Sequence, residues 1–203
     1  MTVDYAPPPT DLSPTVAWSR RVRKVGGFIQ LAFAAFWLVR GGLSVKGAVG
    51  VALAVAGVAI SVLVLGYAIR VTAGVGGRPV SPEAKRIERS VSVATVIELL
   101  ASFGFPVIVI AAGHSDWVLP SIAITIGPLL LWLDHEVDIP RLRPVGWALT
   151  AVPFILVALL SGSALAATTG LGAGVLLLGT ATLGFHDLAA VQRQRPPAPA
   201  RPS

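Results

Sequence analysis

Apolar runs too long and too free of charge for a water-soluble fold dominate this 203-residue chain. With charges and turn residues as boundaries, six emerge: 25–39, 47–69, 91–112, 117–133, 145–160 and 165–185. A helix needs roughly 20 apolar residues to cross a hydrocarbon core of about 30 Å, with about 17 as the usual lower limit. The second, third and sixth runs meet that outright. The fourth reaches the lower limit, and the fifth does so with Gly146 and Trp147 among the headgroups. The first run is the shortest and spans only if Lys24 and Arg40 snorkel to the interfaces. Its other reading is an interfacial or re-entrant helix.

Composition points the same way. Only 13% of the residues are charged, against about 25% in a soluble domain, and the mean hydropathy is +0.77. A soluble enzyme and a disordered chain are excluded, and the lack of cysteine excludes a disulfide-stapled secreted domain. Backbone groups in lipid must be satisfied internally, which leaves helices or a closed barrel. None of the runs alternates with period two, so the expected fold is an all-α integral membrane protein, a six-transmembrane-helix bundle.

Lysine and arginine set the orientation, since cytoplasmic connections carry them in excess. Arg20, Arg21, Arg23 and Lys24 precede the first run; Arg70, Arg78, Lys85, Arg86 and Arg89 separate the second and third. Arg141 and Arg143 separate the fourth and fifth, and Arg193, Arg195 and Arg201 follow the sixth. Only Arg40 and Lys46 fall on the opposite side. Six spans with both termini cytoplasmic satisfy this bias, whereas five would break the alternation. Aromatic residues suit the same map, with Trp37 and Trp117 at the outer interface and Trp132, Trp147 and Tyr67 at the inner one. The net charge of +6 then faces anionic lipid rather than nucleic acid. Thirteen arginines against three lysines, with heavy Ala, Gly, Val and Pro use, suggest a bacterial cytoplasmic membrane.

Flanking the six-helix domain (residues 18–190), the Pro-rich stretch 1–17 and the Arg/Pro-rich stretch 191–203 read as disordered tails. Arg20-Arg21 before an apolar run has the form of a twin-arginine export signal, but the run continues through Phe36, Trp37 and Leu38, as a first span does. In the connection 70–90, Ser81-Pro82-Glu83 opens a helix, with Ser as cap and Pro at the first helical position.

Small residues mark packing faces. Gly50, Ala54, Gly57 and Ser61 form a stripe down the second span, and Gly170 and Gly174 form a GxxxG pair in the sixth. Packing within the chain explains both, and the same faces could serve a second copy or another membrane protein. Pro106, Pro128 and Pro153 lie within spans and predict local kinks.

Functional information lies in the polar groups within the spans. Glu98 is seven residues into the third span, roughly 10 Å deep, and a carboxyl at that depth faces the bundle interior by default. Thr95, Glu98 and Ser102 are spaced to share one face. Gln30 lies at similar depth in the first span, and Thr182 and His186 lie one turn apart in the sixth. Together Gln30, Thr95, Glu98, Ser102, Thr182 and His186 outline a polar pocket open to the cytoplasm. A second cluster, Asp134, His135, Glu136, Asp138 and Asp187, gathers at the cytoplasmic ends of the fourth and sixth spans.

Several readings stand for these groups. Glu98 could simply be protonated or paired with His186, with the terminal charges in the headgroups; the cluster could bind a small solute or relay a proton; the acidic and histidine groups could ring a divalent metal. The metal reading is the weakest, because only Asp134 and Asp138 share a helix face by their i, i+4 spacing, and no metal is assigned. No nucleotide loop, nucleophile elbow, zinc spacing, haem motif or lipidation signal is present, so no cofactor is expected. The leading expectation is a transport-related or solute- or proton-sensing membrane protein working through Glu98. The alternative is an accessory subunit that binds a partner protein through small-residue helix faces. A membrane enzyme ranks third.

Overall fold

The computed structural model describes residues 14–73, 75, 82–137 and 141–193. All regular structure among the described residues is helical. The helices are α1 (Pro14–Leu43), α2 (Ala48–Val71), α3 (Pro82–Ala111), α4 (Val118–Val137), α5 (Leu142–Leu159) and α6 (Gly162–Arg193), with a short 3₁₀ turn over Ser115–Trp117. Each contains a stretch long and apolar enough to cross a membrane, from 18 residues in α5 to 29 in α6. The shortest is therefore roughly 27 Å long.

The first apolar run belongs to a much longer helix than its 15 residues suggest. Its span-length portion, Arg20–Leu43, takes in the charged flanks on both sides. Arginine and lysine are good helix formers, so nothing in those flanks ends the helix, and their long side chains can still reach water. At the chain ends, α1 begins at Pro14 and α6 runs to Arg193. The rest of both flanking stretches, and Ser81, lie outside the described residues. Pro82 is the first residue of α3, where its missing N–H leaves no bond unmade.

α1 lies between α6 and α2, α4 pairs with α5, and both α4 and α5 touch α6. α3 is the outlier: it packs on α4 and on the 3₁₀ turn that follows it, and only 11% of its span is buried. Glycine permits the close crossings. A β-carbon at Gly170 would lie 2.5 Å from Cα of Gly41, and one at Gly174 would lie 2.7 Å from Cγ of Leu38. On the other side of α1, a β-carbon at Gly42 would meet the backbone nitrogen of Ala54 at 2.7 Å. One at Gly57 would meet Cβ of Leu38 at 2.6 Å. Gly50, Ala54, Gly57 and Ser61 are all buried, and the Ser61 hydroxyl donates to Gly57 O at 2.8 Å. Gly127 and Gly146 let α4 approach α5 in the same way. The small-residue faces are thus filled within one chain.

The main core joins Ala34 and Trp37 of α1 to Leu119, Ala123, Ile126 and Leu130 of α4, Leu142, Val145 and Leu149 of α5, and Ala173 and Leu177 of α6. Trp37, expected to present its ring to the headgroups, is fully enclosed in this core, because the glycine crossing of α1 over α6 draws its helix face inward. Trp117 and Trp147 are exposed, while Trp132 and Tyr67 are half-buried.

Polar clips finish the ends. Lys24 Nζ donates to the carbonyls of Thr72 at 3.0 Å and Val75 at 3.3 Å, clipping α1 to the turn that follows α2. At the opposite end Gly162, in the left-handed region with φ 57°, donates its N–H to Asp116 Oδ2 at 2.9 Å. That bond ties the α3–α4 turn to the α5–α6 turn.

Candidate functional site

The seat of interest is the line where α3 meets α4. Most of α3 presents apolar side chains outward, among them Ile97, Leu100, Phe103 and Val107. Glu98, Ser102 and Pro106 instead form a buried stripe at i, i+4, i+8, turned toward α4. Glu98 is 7% exposed and Ser102 9%. The Ser102 hydroxyl lies 2.8 Å from Glu98 Oε1 and 2.9 Å from Thr125 Oγ1 of α4. Thr125 Oγ1 in turn donates to Ile122 O at 2.8 Å.

Ser102 is exceptional in this. The hydroxyls of Ser61, Thr72, Ser92, Thr95, Thr150, Thr180 and Thr182 each bond the backbone carbonyl one turn before them. That is the usual economy of a hydroxyl in a helix. Ser102 bonds a side-chain carboxyl and a hydroxyl on another helix. No cationic side chain pairs with Glu98 among the described residues.

The remaining pocket residues lie elsewhere. Thr95 is exposed on α3 with its hydroxyl on Val91 O. Gln30 is half-buried on α1, and Thr182 is half-buried on α6 with its hydroxyl on Leu178 O. His186 is exposed on α6. α1 and α6 pack on each other, whereas α3 packs on α4, so the bundle joins Glu98 and Ser102 with Thr125 and leaves Gln30, Thr182 and His186 on a different helix pair. Sequence reasoning missed Thr125. A hydroxyl in mid-span carries no mark that separates a cross-helix bond from the common backbone one.

In the second cluster, ion pairs take up the aspartates. Asp134 is 6% exposed and accepts from Arg143 Nε at 2.9 Å, which ties α4 to α5. Arg141 pairs with Asp187 of α6 at the surface. His135 is exposed, Glu136 is half-buried, and Asp138 lies outside the described residues. Among the described residues, no three His, Asp or Glu side chains gather as metal ligands do.

Arg143→Ala leaves the Asp134 carboxylate buried without its partner, a large penalty when both groups are enclosed. The Arg143 side chain is 68% exposed, so solvent screening reduces the effect. The expected loss is about 1–2 kcal/mol in detergent melting. Adding Asp134→Asn to Arg143→Ala restores most of it, because the residual buried group is then neutral.

One further opening lies between α5 and α6, a crevice of about 50 Å³ lined by Leu149, Pro153, Thr169, Ala173 and neighbours. It has room for roughly three water molecules. Its interior polar group is the Thr169 hydroxyl, which has no hydrogen-bond partner.

No protein-family model matches the sequence, and neither a curated protein nor a solved structure matches it significantly. The functional reading therefore stands on the geometry of the α3–α4 seat.

Proposed function

We propose that the chain is a multi-pass protein of a bacterial cytoplasmic membrane, with both termini inside, that moves or senses a small solute or a proton through the Glu98 seat. Six span-length helices support the membrane reading. The lopsided distribution of lysine and arginine supports the orientation. The observation that carries the functional part is Glu98 itself, a buried carboxyl bonded to the Ser102 hydroxyl, which in turn meets Thr125 of the neighbouring helix, with no cationic partner among the described residues. Groups of this kind are expensive in a bilayer and mark ion and proton paths. The loose attachment of α3 adds to the reading, since a helix held mainly by one neighbour can shift without dismantling the core.

The rival reading, an accessory subunit gripping its partner through small-residue faces, draws less support, because Gly57, Gly170 and Gly174 are already packed inside the chain.

Purified protein in vesicles loaded with a pH-sensitive dye tests the proposal. Glu98→Gln preserves shape and hydrogen-bonding capacity, so yield and melting temperature should persist. Proton uptake, alone or driven by added solutes, should fall by a factor of about ten or more, the scale of about 1.4 kcal/mol in a single step. Uptake equal to wild type would end the reading.

A further inference from the structure

Three oxygen–oxygen contacts run in series through the seat. Glu98 Oε1 to Ser102 Oγ is 2.8 Å, Ser102 Oγ to Thr125 Oγ1 is 2.9 Å, and Thr125 Oγ1 to Ile122 O is 2.8 Å. All three are of O–H···O length, and each needs a hydrogen of its own. The Ser102 and Thr125 hydroxyls supply one apiece, and the Ile122 carbonyl supplies none. A bare carboxylate on Glu98 therefore leaves one contact without a hydrogen. If Ser102 donates to Glu98 and Thr125 to Ile122, the middle contact is empty. If Thr125 donates to Ser102 instead, the last one is. A hydrogen on Glu98 Oε1 completes the series, with every donor pointing the same way: Glu98 to Ser102, Ser102 to Thr125, Thr125 to Ile122 O.

We infer that the ligand of this seat is a proton carried on Glu98 Oε1, and that its presence fastens α3 to α4. The inference rests on the proposed function and names the species that the seat takes. The proton is taken up from water to form the O–H of Glu98 and is returned to water when α3 loosens.

Charge balance agrees. On α4 the titratable groups are Asp134, His135 and Glu136, more than two turns along the helix from Thr125, and Asp134 is held by Arg143 of α5. At the other end, the 3₁₀ turn and its flank offer Asp116, which holds Gly162 N–H, and His114, stacked on Trp117. On α3 itself Lys85, Arg86, Glu88 and Arg89 are exposed and more than two turns from Glu98. None of these is positioned to neutralise a Glu98 carboxylate, whereas a proton does so without adding net charge.

The device also has a weak point. Pro106, one turn beyond Ser102 on the same buried stripe, has no N–H to give to the Ser102 carbonyl. α3 is thus missing a backbone bond at the residue that links Glu98 to α4. Removing the proton empties either the one contact that crosses to α4, Ser102–Thr125, or the Thr125–Ile122 bond behind it, beside that gap, and α3 has little else to hold it.

Infrared absorption of the full chain in lipid vesicles at neutral pH, read in the carbonyl-stretch region of carboxylic acids, tests this. Wild type should show an acid band that is lost in Glu98→Gln. The band should move or be lost in Thr125→Val, which cuts the series one link further on, leaves a single contact that the Ser102 hydroxyl can fill by itself, and does not depend on Glu98→Gln folding. Absence of an acid band in wild type overturns the inference, as does a band that Thr125→Val leaves in place. Vesicle uptake separates the two claims. Proton uptake that needs Glu98 without an acid band would retain the functional reading and remove this one. An acid band that needs Glu98, with uptake indifferent to it, would do the reverse.

Discussion

Gly170→Leu is expected to be among the most damaging single changes in the bundle. A β-carbon at this position would sit 2.5 Å from Cα of Gly41 and 3.2 Å from the Trp37 carbonyl, both backbone atoms that cannot turn aside. α1 and α6 must then separate, and this crossing underlies the core that Trp37 and Leu177 share with α4 and α5. Overpacking of a tight core costs about 1–3 kcal/mol where neighbours can relax, and a backbone–backbone contact belongs at or above the top of that range. A loss of about 3 kcal/mol corresponds to a melting temperature lowered by roughly 6–12 °C for a chain of this size. Gly172→Leu is the matched control. It lies two residues along the same helix, where an added β-carbon meets nothing within 4 Å, and it should melt with wild type. If the two variants melt alike, the α1–α6 crossing is not what holds the bundle together.

The contrast between Gly170 and Gly172 also shows what the sequence could and could not reveal. The six helices were legible because length and lack of charge are local properties, and each expected run lies within an observed helix or extends past it by only a residue or two. The stripe Gly50, Ala54, Gly57, Ser61 was legible as a face because helical spacing is local too. Which helix would occupy that face was not, since Gly42 and Leu38 of α1 meet it through a tertiary arrangement. The same division runs through the candidate site. Glu98 and Ser102 announce themselves as an i, i+4 pair of polar residues in an apolar run. Their partner Thr125 depends on α3 lying against α4, which no spacing encodes. Gln30, Thr182 and His186 share a depth with Glu98 but not a neighbour. Depth is readable from distance to the charged flanks, whereas neighbourhood requires the packing order of the helices.

Trp37 is the residue for which depth and environment parted company most, and replacing it should have the second of the two largest effects. Sequence position places it near a span end, where an amphipathic ring suits the headgroups. The structure encloses it completely, against Ala34, Ala123 and Ala173 among others, with its indole Nε1 lacking any partner. Trp37→Ala removes the largest fully buried side chain from between three helices and should cost about 3–5 kcal/mol, since small neighbours such as alanine cannot reach into the space. Trp37→Phe separates the two contributions. It gives up part of the ring volume but also removes a buried donor whose unmet hydrogen bond carries a penalty of about 1–3 kcal/mol. These terms oppose one another, so Trp37→Phe should melt within about 1 kcal/mol of wild type, far above Trp37→Ala. Trp147→Ala, at a site 59% exposed, should change little and serves as the baseline for losing an indole at all. A Trp37→Phe variant that falls as far as Trp37→Ala would mean that the indole N–H has a partner in the bilayer-embedded protein.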